Sequence, residues 1–425
     1  LEGVVLGNTI AEKILARAAG LPQVRAGDEI EVKPDFVIAY DFPGYTDVIF
    51  KQMEEEFGID KVSEPERFAL FIDHMVPAVA PHEEELHQNT RDWGAKNNVP
   101  VYERMGIGHQ VAAELGYATP GAFAVHFDGH ISQLGTYGTL AIGVRRHLLE
   151  AFVKEYIKFK VPETTRVNLE GTLQPGVTAR DIFHHIVRVI GPSGCRFQVL
   201  ELAGSTIDNL SLEGRQTITC LAMFTGAITA IINPDKKALD YALPRARADL
   251  EIQFSDDDAQ YAAVHDIDVS ALEPIVVIPP NPANTRDLSD FIGTEIHLGY
   301  LGSCASGRLE DLRMAAEVLE GRKVKDGFQL HVVPTSKDIM EQAAREGTLA
   351  TLIAAGAFVT SSSCDYCFGR MGVMSEGQSA VSTGTLNVRG RMGSPDSEIY
   401  IVNAAAVAAA ALEGCIADPR KYMKS

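Results

Sequence analysis

Basic residues are scarce in this 425-residue chain. Lys and Arg number 38 against 57 Asp and Glu, leaving a net charge of −19. That deficit argues against a protein that tracks nucleic-acid phosphates or binds an anionic membrane, since both need basic surface. It leaves room for a small anionic substrate, which a few buried arginines can hold. Cysteines are few as well: six, irregularly spaced, too sparse for a secreted disulfide framework. They read as thiols of a reducing compartment, and a cytoplasmic location is expected. No run reaches the 18 or more apolar residues of a membrane span; the Ala-rich stretch 404–412 is far too short. The beginning carries Glu2 and an amphipathic helical pattern where a signal peptide would have a basic segment and an apolar core, so none is expected. Low complexity is excluded by ordinary Gly and Pro usage, 37 and 20 residues, and no internal repeat is convincing.

What is present is ample apolar material, 46% of residues, in a length that predicts two or three domains. Residues 8–20 predict a helix, with Ile10, Ile14, Leu15 and Ala18 at helical spacing and Gly20 at its end. A Val- and Ile-rich run, 29–40, predicts a strand, 47–57 a helix, and 68–73 a strand ending in Asp73-His74. The acidic stretch 82–93 predicts an exposed helix. Further on, strands are expected within 117–125, 166–171, 195–201 and 295–301, and helices through 140–157 and 178–189. Strand–helix alternation of this kind favours α/β layers with largely parallel sheets. A charged, Pro-bearing stretch at 158–165 and the Pro-rich segment 273–285 divide the chain into expected domains 1–160, 161–284 and 285–425.

The chemistry lies in the cysteines. Gly302-Ser303-Cys304-Ala305-Ser306-Gly307-Arg308 follows a strand and opens a helix striped by Leu309, Leu312, Ala316 and Leu319. The positive field of that helix start is expected to favour a Cys304 thiolate. Cys364 and Cys367 form a C-x-x-C sixty positions later, a spacing that lets two thiolates reach one metal centre. Cys304 has the right context for a third. Three thiolates on a cubane cluster leave one iron open as a Lewis acid for hydroxyl and carboxylate. Zinc binding or a redox pair are the plainer readings of a C-x-x-C. Cys195, Cys220 and Cys415 read as buried thiols.

Taken together, G-S-C-x-x-G-R, the C-x-x-C and a following loop rich in Arg and Gly resemble the aconitase superfamily. Within it the resemblance is to the large subunits of 3-isopropylmalate dehydratase and homoaconitase. It spans nearly the whole chain, from T-I-A-E-K-I-L-A-R-A-A-G to the Ala-rich segment after Val402-Asn403. It implies three α/β/α layered domains around a [4Fe–4S] cluster held by Cys304, Cys364 and Cys367. It implies catalytic roles for Asp73 and His74, for His109 in Gly106-Ile107-Gly108-His109-Gln110, for Asp128 and His130 in Asp128-Gly129-His130, and for Glu201 in Glu201-Leu202-Ala203-Gly204. Singly, each of these histidines would more often be structural; their joint order carries the assignment.

Substrate contacts depart from the family pattern. Arg391 keeps the second arginine of the family's N-R-N-F-x-G-R loop, but Leu386 replaces the first. Gly129 stands for the family's D-S-H serine, Tyr45 for an expected Gln, and Ala305-Ser306 for Thr-Asn. Losing a bidentate arginine predicts an altered substrate, with an alkyl or uncharged group near Leu386 and Val388. The expected activity is a hydro-lyase acting on a small-molecule 2-hydroxy di- or tricarboxylate. The alternatives are a hydratase of a small alkylated diacid, of dimethylmaleate or citraconate type, and a non-catalytic metal- or cluster-bearing binding protein. The resemblance also implies a separate small subunit of the swivel type as partner, because the match ends with the third domain. Neither membrane nor nucleic acid is expected as a partner. His82-Glu83-Glu84-Glu85-Leu86-His87 is no zinc helix, since i and i+5 lie about 140° apart. His184-His185 and Asp256-Asp257-Asp258 read as packing or surface.

Overall fold

The computed structural model describes residues 7–145 and 147–423. Its first helix shows how local sequence sets an element. Ile10–Ala19 starts at Thr9, whose side chain accepts from the backbone N–H of Glu12 while Glu12 bonds back, and it stops at Gly20 in the left-handed region (φ 66°). Ile10, Ile14 and Leu15 point into the core. The expected strand 29–40 is in fact two strands, Glu29–Val32 and Phe36–Tyr40, in different sheets. Pro34 lies between them; with no N–H to donate, it breaks the ladder.

Three sheets carry the fold. The first is wholly parallel, in spatial order Val101–Glu103, Phe68–Ile72, Phe36–Tyr40, Phe123–His126 and Leu140–Gly143. Both central strands are buried along their whole length, as a parallel sheet covered on two faces requires. The second runs Thr229–Ile232, Val199–Ala203, Thr164–Glu170 and Ala263–Asp268, again all parallel. The third has seven strands. An antiparallel pair, Thr285–Asp287 and Ile275–Val277, edges a parallel set of Glu398–Ile401, Ser379–Ser382, Leu298–Leu301, Gln329–Val332 and Phe358–Val359.

Several expectations change here. The helix expected over 140–157 is a strand, a helix His147–Lys154 and a second strand Ile157–Lys160, which pairs antiparallel with Glu29–Val32. The Pro-rich segment 273–285 is no free linker, since Ile275–Val277 is built into the third sheet. The acidic helix extends over Pro81–Asn97, and its inner face is not solvated. Glu83 and His87 are buried, Glu83 bonding Arg370 at 2.7 Å and His87 Nε2 lying 3.1 Å from the carbonyl of His74. Packing of that face against the third unit won over its polar composition. No helix among the described residues is long and apolar enough to cross a membrane.

Candidate active site

The loops at the carboxyl ends of the first sheet's strands converge on the cysteine loops of the third, the usual place for a site in a parallel sheet. The strand Phe68–Ile72 delivers Asp73-His74. Asp73 Oδ1 lies 2.7 Å from His74 Nδ1, and Oδ2 accepts the backbone N–H of Gly108 at 2.6 Å. That bond draws the Gly108-His109 helix start to Asp73; a Cβ at Gly108 would meet Phe71 at 2.9 Å and close the approach. The strand Phe123–His126 delivers Asp128, whose Oδ1 lies 2.8 Å from His130 Nδ1 and also accepts the His130 backbone N–H.

These pairs hold opposite charge states. Burial by itself would lower His130, but Cys304 and Asp128 override it and push its pKa up to about 10. Burial also opposes charge on His74, yet Asp73 and Cys364 carry it well above the ordinary histidine value. Burial raises Asp128, and the charge and hydrogen bond of His130 hold it far below the carboxylate range. His109 is different: burial takes it down to about 4, so it is neutral at pH 7. His126 falls to about 3 for the same reason, and its Nδ1 accepts the Asp128 N–H at 2.8 Å, which puts the ring proton on Nε2. The Nε2 atoms of both His109 and His130 are buried with no hydrogen-bond partner. Buried imidazole nitrogens without partners are costly, and they mark where a ligand belongs.

The three cysteines face these histidines. Cys364 is tied in by its N–H to the Asp73 carbonyl (3.0 Å), and its sulfur hydrogen-bonds the His74 ring. Cys367 Sγ lies 3.8 Å from Thr385 Oγ1 and 3.6 Å from Arg391 Nη2, while Arg391 Nε donates to the Cys367 carbonyl at 2.8 Å. Burial resists charge on Cys367, but Arg391 outweighs it and lowers the thiol's pKa. Cys304 does not behave as expected. Its helix begins only at Leu309, and its thiol is pushed well up by the Cys220 sulfur beside it and by burial. The helix-field argument fails because four residues, 305–308, separate Cys304 from the helix start. Cys220 and Cys195 are buried as expected; Cys415 is only partly buried.

The chemistry of the donor set fits a cluster better than one ion. Sulfurs on one tetrahedral zinc would lie about 3.8 Å apart, given Zn–S bonds of about 2.3 Å. Among the described residues, the trio of ligand atoms that comes within 4.8 Å of one another is Asp41, Asp73 and His74, and the cysteines form no such group. That trio is already engaged, since Asp41 accepts the Asp73 N–H at 3.1 Å and Asp73 holds His74.

Glu201 stands apart from this assembly. On its strand, Leu200 and Leu202 face the core that includes Cys304 and Ala305, so Glu201 points to the opposite face. It is fully buried there, held by Tyr261 (2.8 Å), Ser255 (2.7 Å), Asn233 (3.1 Å) and Arg166 (3.4 Å). Beside His130 lies Phe224, ring centroids 6.2 Å apart. Tyr45 stacks against Phe127 at 3.6 Å and touches Phe42, whose ring lies 5.0 Å from His74. It forms part of an aromatic wall where an amide was expected. Leu386 is half-buried beside Thr385. Gly129 has space: the nearest atoms a Cβ there would meet are those of Met223, at 3.7 Å and beyond.

Sequence reasoning missed Tyr40, His126 and Arg308. Tyr40 packs against His74 (4.8 Å) and His126 (4.7 Å). Arg308, fully buried, bonds Gln110, Gln133, Thr217 and the Cys304 carbonyl, tying three distant segments together behind the first cysteine. Its signal was present as the last residue of the G-S-C-A-S-G-R motif.

Comparison with known proteins bears on the family of the chain. The aconitase family (aconitate hydratase) matches residues 12–414. The chain is 38% identical to 3-isopropylmalate dehydratase large subunit 1 of Pyrococcus furiosus, over 98% of this chain and 100% of that protein. It is 37% identical to the 3-isopropylmalate dehydratase large subunit of Aquifex aeolicus, over 99% of both chains. A solved structure, aconitase X of Thermococcus kodakaraensis, aligns over 88% of each chain with TM-score 0.47 and 10% identity. The chain therefore belongs to the aconitase family of hydro-lyases.

Proposed function

We propose that this chain is the cluster-bearing large subunit of a dehydratase that removes or adds water on a 2-hydroxy di- or tricarboxylate. The observation that carries the reading is the convergence of Cys304, Cys364 and Cys367 on two Asp–His pairs, with the Nε2 of His109 and His130 unpartnered. Cys304, Cys364 and Cys367 would hold a [4Fe–4S] cluster. When bound, that group supplies a Lewis acid for a substrate hydroxyl and carboxylate.

The chain's own residues do the rest. Asp128 fixes the His130 ring through Nδ1 and keeps it protonated, leaving Nε2 to give its proton to a departing hydroxyl. Asp73 likewise holds the His74 ring through Nδ1, with the ring also hydrogen-bonded to the Cys364 sulfur. Neutral His109 offers one nitrogen without adding charge. Arg391 commits Nε and Nη2 to Cys367, so Nη1 remains for a substrate carboxylate. The relatives' designation as large subunits supports a separate small subunit of the swivel type, which would supply the groups that close the site.

Leu386 in place of a carboxylate-binding arginine, with Gly129 and the Tyr45–Phe127 wall, supports a substrate other than 3-isopropylmalate that has an alkyl or uncharged group near Leu386. A small alkylated diacid of dimethylmaleate or citraconate type is the alternative. Anaerobic purification tests the core of the reading. About four irons and four sulfides per chain are expected, and Cys364→Ser should lose them; colourless, zinc-loaded protein would sink it. Rapid turnover of 3-isopropylmalate by the complete enzyme would overturn the altered-substrate part alone.

A further inference from the structure

His87 closes the H-E-E-E-L-H run, which is no zinc helix, and it points inward from Pro81–Asn97 to the first acid pair. It is 3% exposed, and its Nε2 lies 3.1 Å from the His74 carbonyl and 3.0 Å from Asp41 Oδ2. A carbonyl only accepts, so Nε2 carries the ring proton. Asp41, fully buried directly after the strand Phe36–Tyr40, turns its other oxygen to the backbone N–H groups of Asp73 (3.1 Å) and His74 (3.4 Å). Asp365, also fully buried, serves the next two residues, accepting from Met75 at 2.7 Å and Val76 at 2.9 Å.

Consecutive N–H groups from Asp73 to Val76 are thus taken by two buried carboxylates. Each carboxylate is braced from the same helix. Asp41 meets His87 directly, while Asp365 lies 3.4 Å from Arg370, which is bonded to Glu83 at 2.7 Å. The segment needs this hold, because Met75 sits in the left-handed region (φ 55°), where a residue with a side chain is strained. The helix is itself fixed, with Trp93 stacked on Phe50 at 4.2 Å. Burial pushes the Asp41 carboxyl up to about 6, and the His87 bond is the largest effect keeping it from rising further.

We propose that Asp41 and His87 are a positioning pair for the His74 acid, fixing the backbone from which its ring is aimed. The proposal rests on the reading of His74 as a proton donor in dehydration. Asp73 holds that ring at Nδ1, but only Asp41 and His87 hold the His74 backbone, one at its N–H and the other at its carbonyl. A reacting group displaced by about 1 Å can lose on the order of 100-fold in rate, so His87 acts on the reaction through His74. Leucine at position 87 removes the donor to the carbonyl and leaves Asp41 Oδ2 beside an apolar group. Glutamine keeps an N–H donor there.

Residue-level hydrogen exchange on the full chain, comparing His87→Leu and His87→Gln with the wild type, tests the hold. His87→Leu should speed exchange at Asp73 and His74 at least tenfold, while Met75 and Val76, bonded to Asp365, keep their rates. Kinetics of the cluster-loaded complete enzyme test the consequence, using whichever of 3-isopropylmalate, 2-methylmalate and citrate turns over fastest. His87→Leu should lower kcat at least tenfold, with KM within twofold and iron content unchanged, and His87→Gln should restore most of the loss. Unchanged exchange at Asp73 and His74 in His87→Leu would overturn the proposal. So would a fall in kcat that His87→Gln leaves in place, with exchange faster throughout the chain, since that is a loss of packing. Faster local exchange with kcat unaltered would instead refute the reading of His74 as an acid. No turnover of any of the three hydroxyacids by the wild type would count against the dehydratase reading and leave the exchange rates to decide the pair.

Discussion

Arg391 serves two partners at once. Two of its nitrogens bond Cys367, at the carbonyl and the sulfur, and the third is the one proposed for a substrate carboxylate. Arg391→Lys keeps the charge but loses the planar fork. The variant should therefore raise KM for the hydroxyacid at least tenfold and also lower iron retention on dilution, both measurable in one preparation. Leu386→Ala should change neither iron content nor thiol reactivity, because the Thr385 and Arg391 contacts to Cys367 are left in place. Glu201 gives the contrasting case. Its four partners make it a buried structural acceptor, and Glu201→Leu should cost about 2–4 kcal/mol of stability in denaturant unfolding. Near-wild-type iron content in the folded fraction is expected. A loss of turnover with stability intact would return Glu201 to the catalytic set.

The elements that matter for function are strand ends and the short segments after them. Asp73-His74 and Asp128–His130 follow the two parallel strands that flank Phe36–Tyr40, so the sheet brings both pairs to the same end. The loop of Cys304 is secured from behind by Arg308, which reaches Gln110, Gln133 and Thr217 on three other segments. Arg308→Met removes these bonds and leaves several buried acceptors unsatisfied. It should lower stability by about 3–5 kcal/mol and prevent a full cluster from assembling, read by unfolding midpoint and iron content. On the next turn from Thr217, whose hydroxyl bonds the Ala305 carbonyl at 3.1 Å, Cys220 sits against Cys304 on the same helix face. Helical spacing explains that contact, and nothing in the Cys220 surroundings of the sequence announced it.

Across the whole molecule, segments remote in sequence are held together by buried polar contacts as well as apolar ones, and this gives stability a pH dependence. Glu114 bonds Ser336 of the third unit at 2.6 Å, and burial pushes its pKa up to about 7. A carboxyl raised in the folded state contributes stability that is present below its unfolded value of 4.5 and lost as pH rises through about 7. Glu114→Gln should therefore stabilise the chain at pH 8 by on the order of 1 kcal/mol, and much less at pH 4.5. Thermal unfolding at the two pH values checks it. Equal shifts at both would show that ionisation is not the cause.

Local patterns in the sequence settled what depends on neighbours along the chain. The first helix with its Thr9–Glu12 cap, the α/β alternation, and the cysteine and Asp–His motifs with their likeness to the aconitase family were all legible there. Such features arise from spacing, capping and residue chemistry, which act over a few positions. Tertiary packing decided the rest. It split the 29–40 run, drew the Pro-rich segment into a sheet, buried the acidic helix's inner face, turned Glu201 away from the histidines and brought Cys220 to Cys304. Strand alternation fixes that neighbouring side chains face opposite ways, but which face meets the site depends on contacts hundreds of residues apart. No window along the chain contains that information.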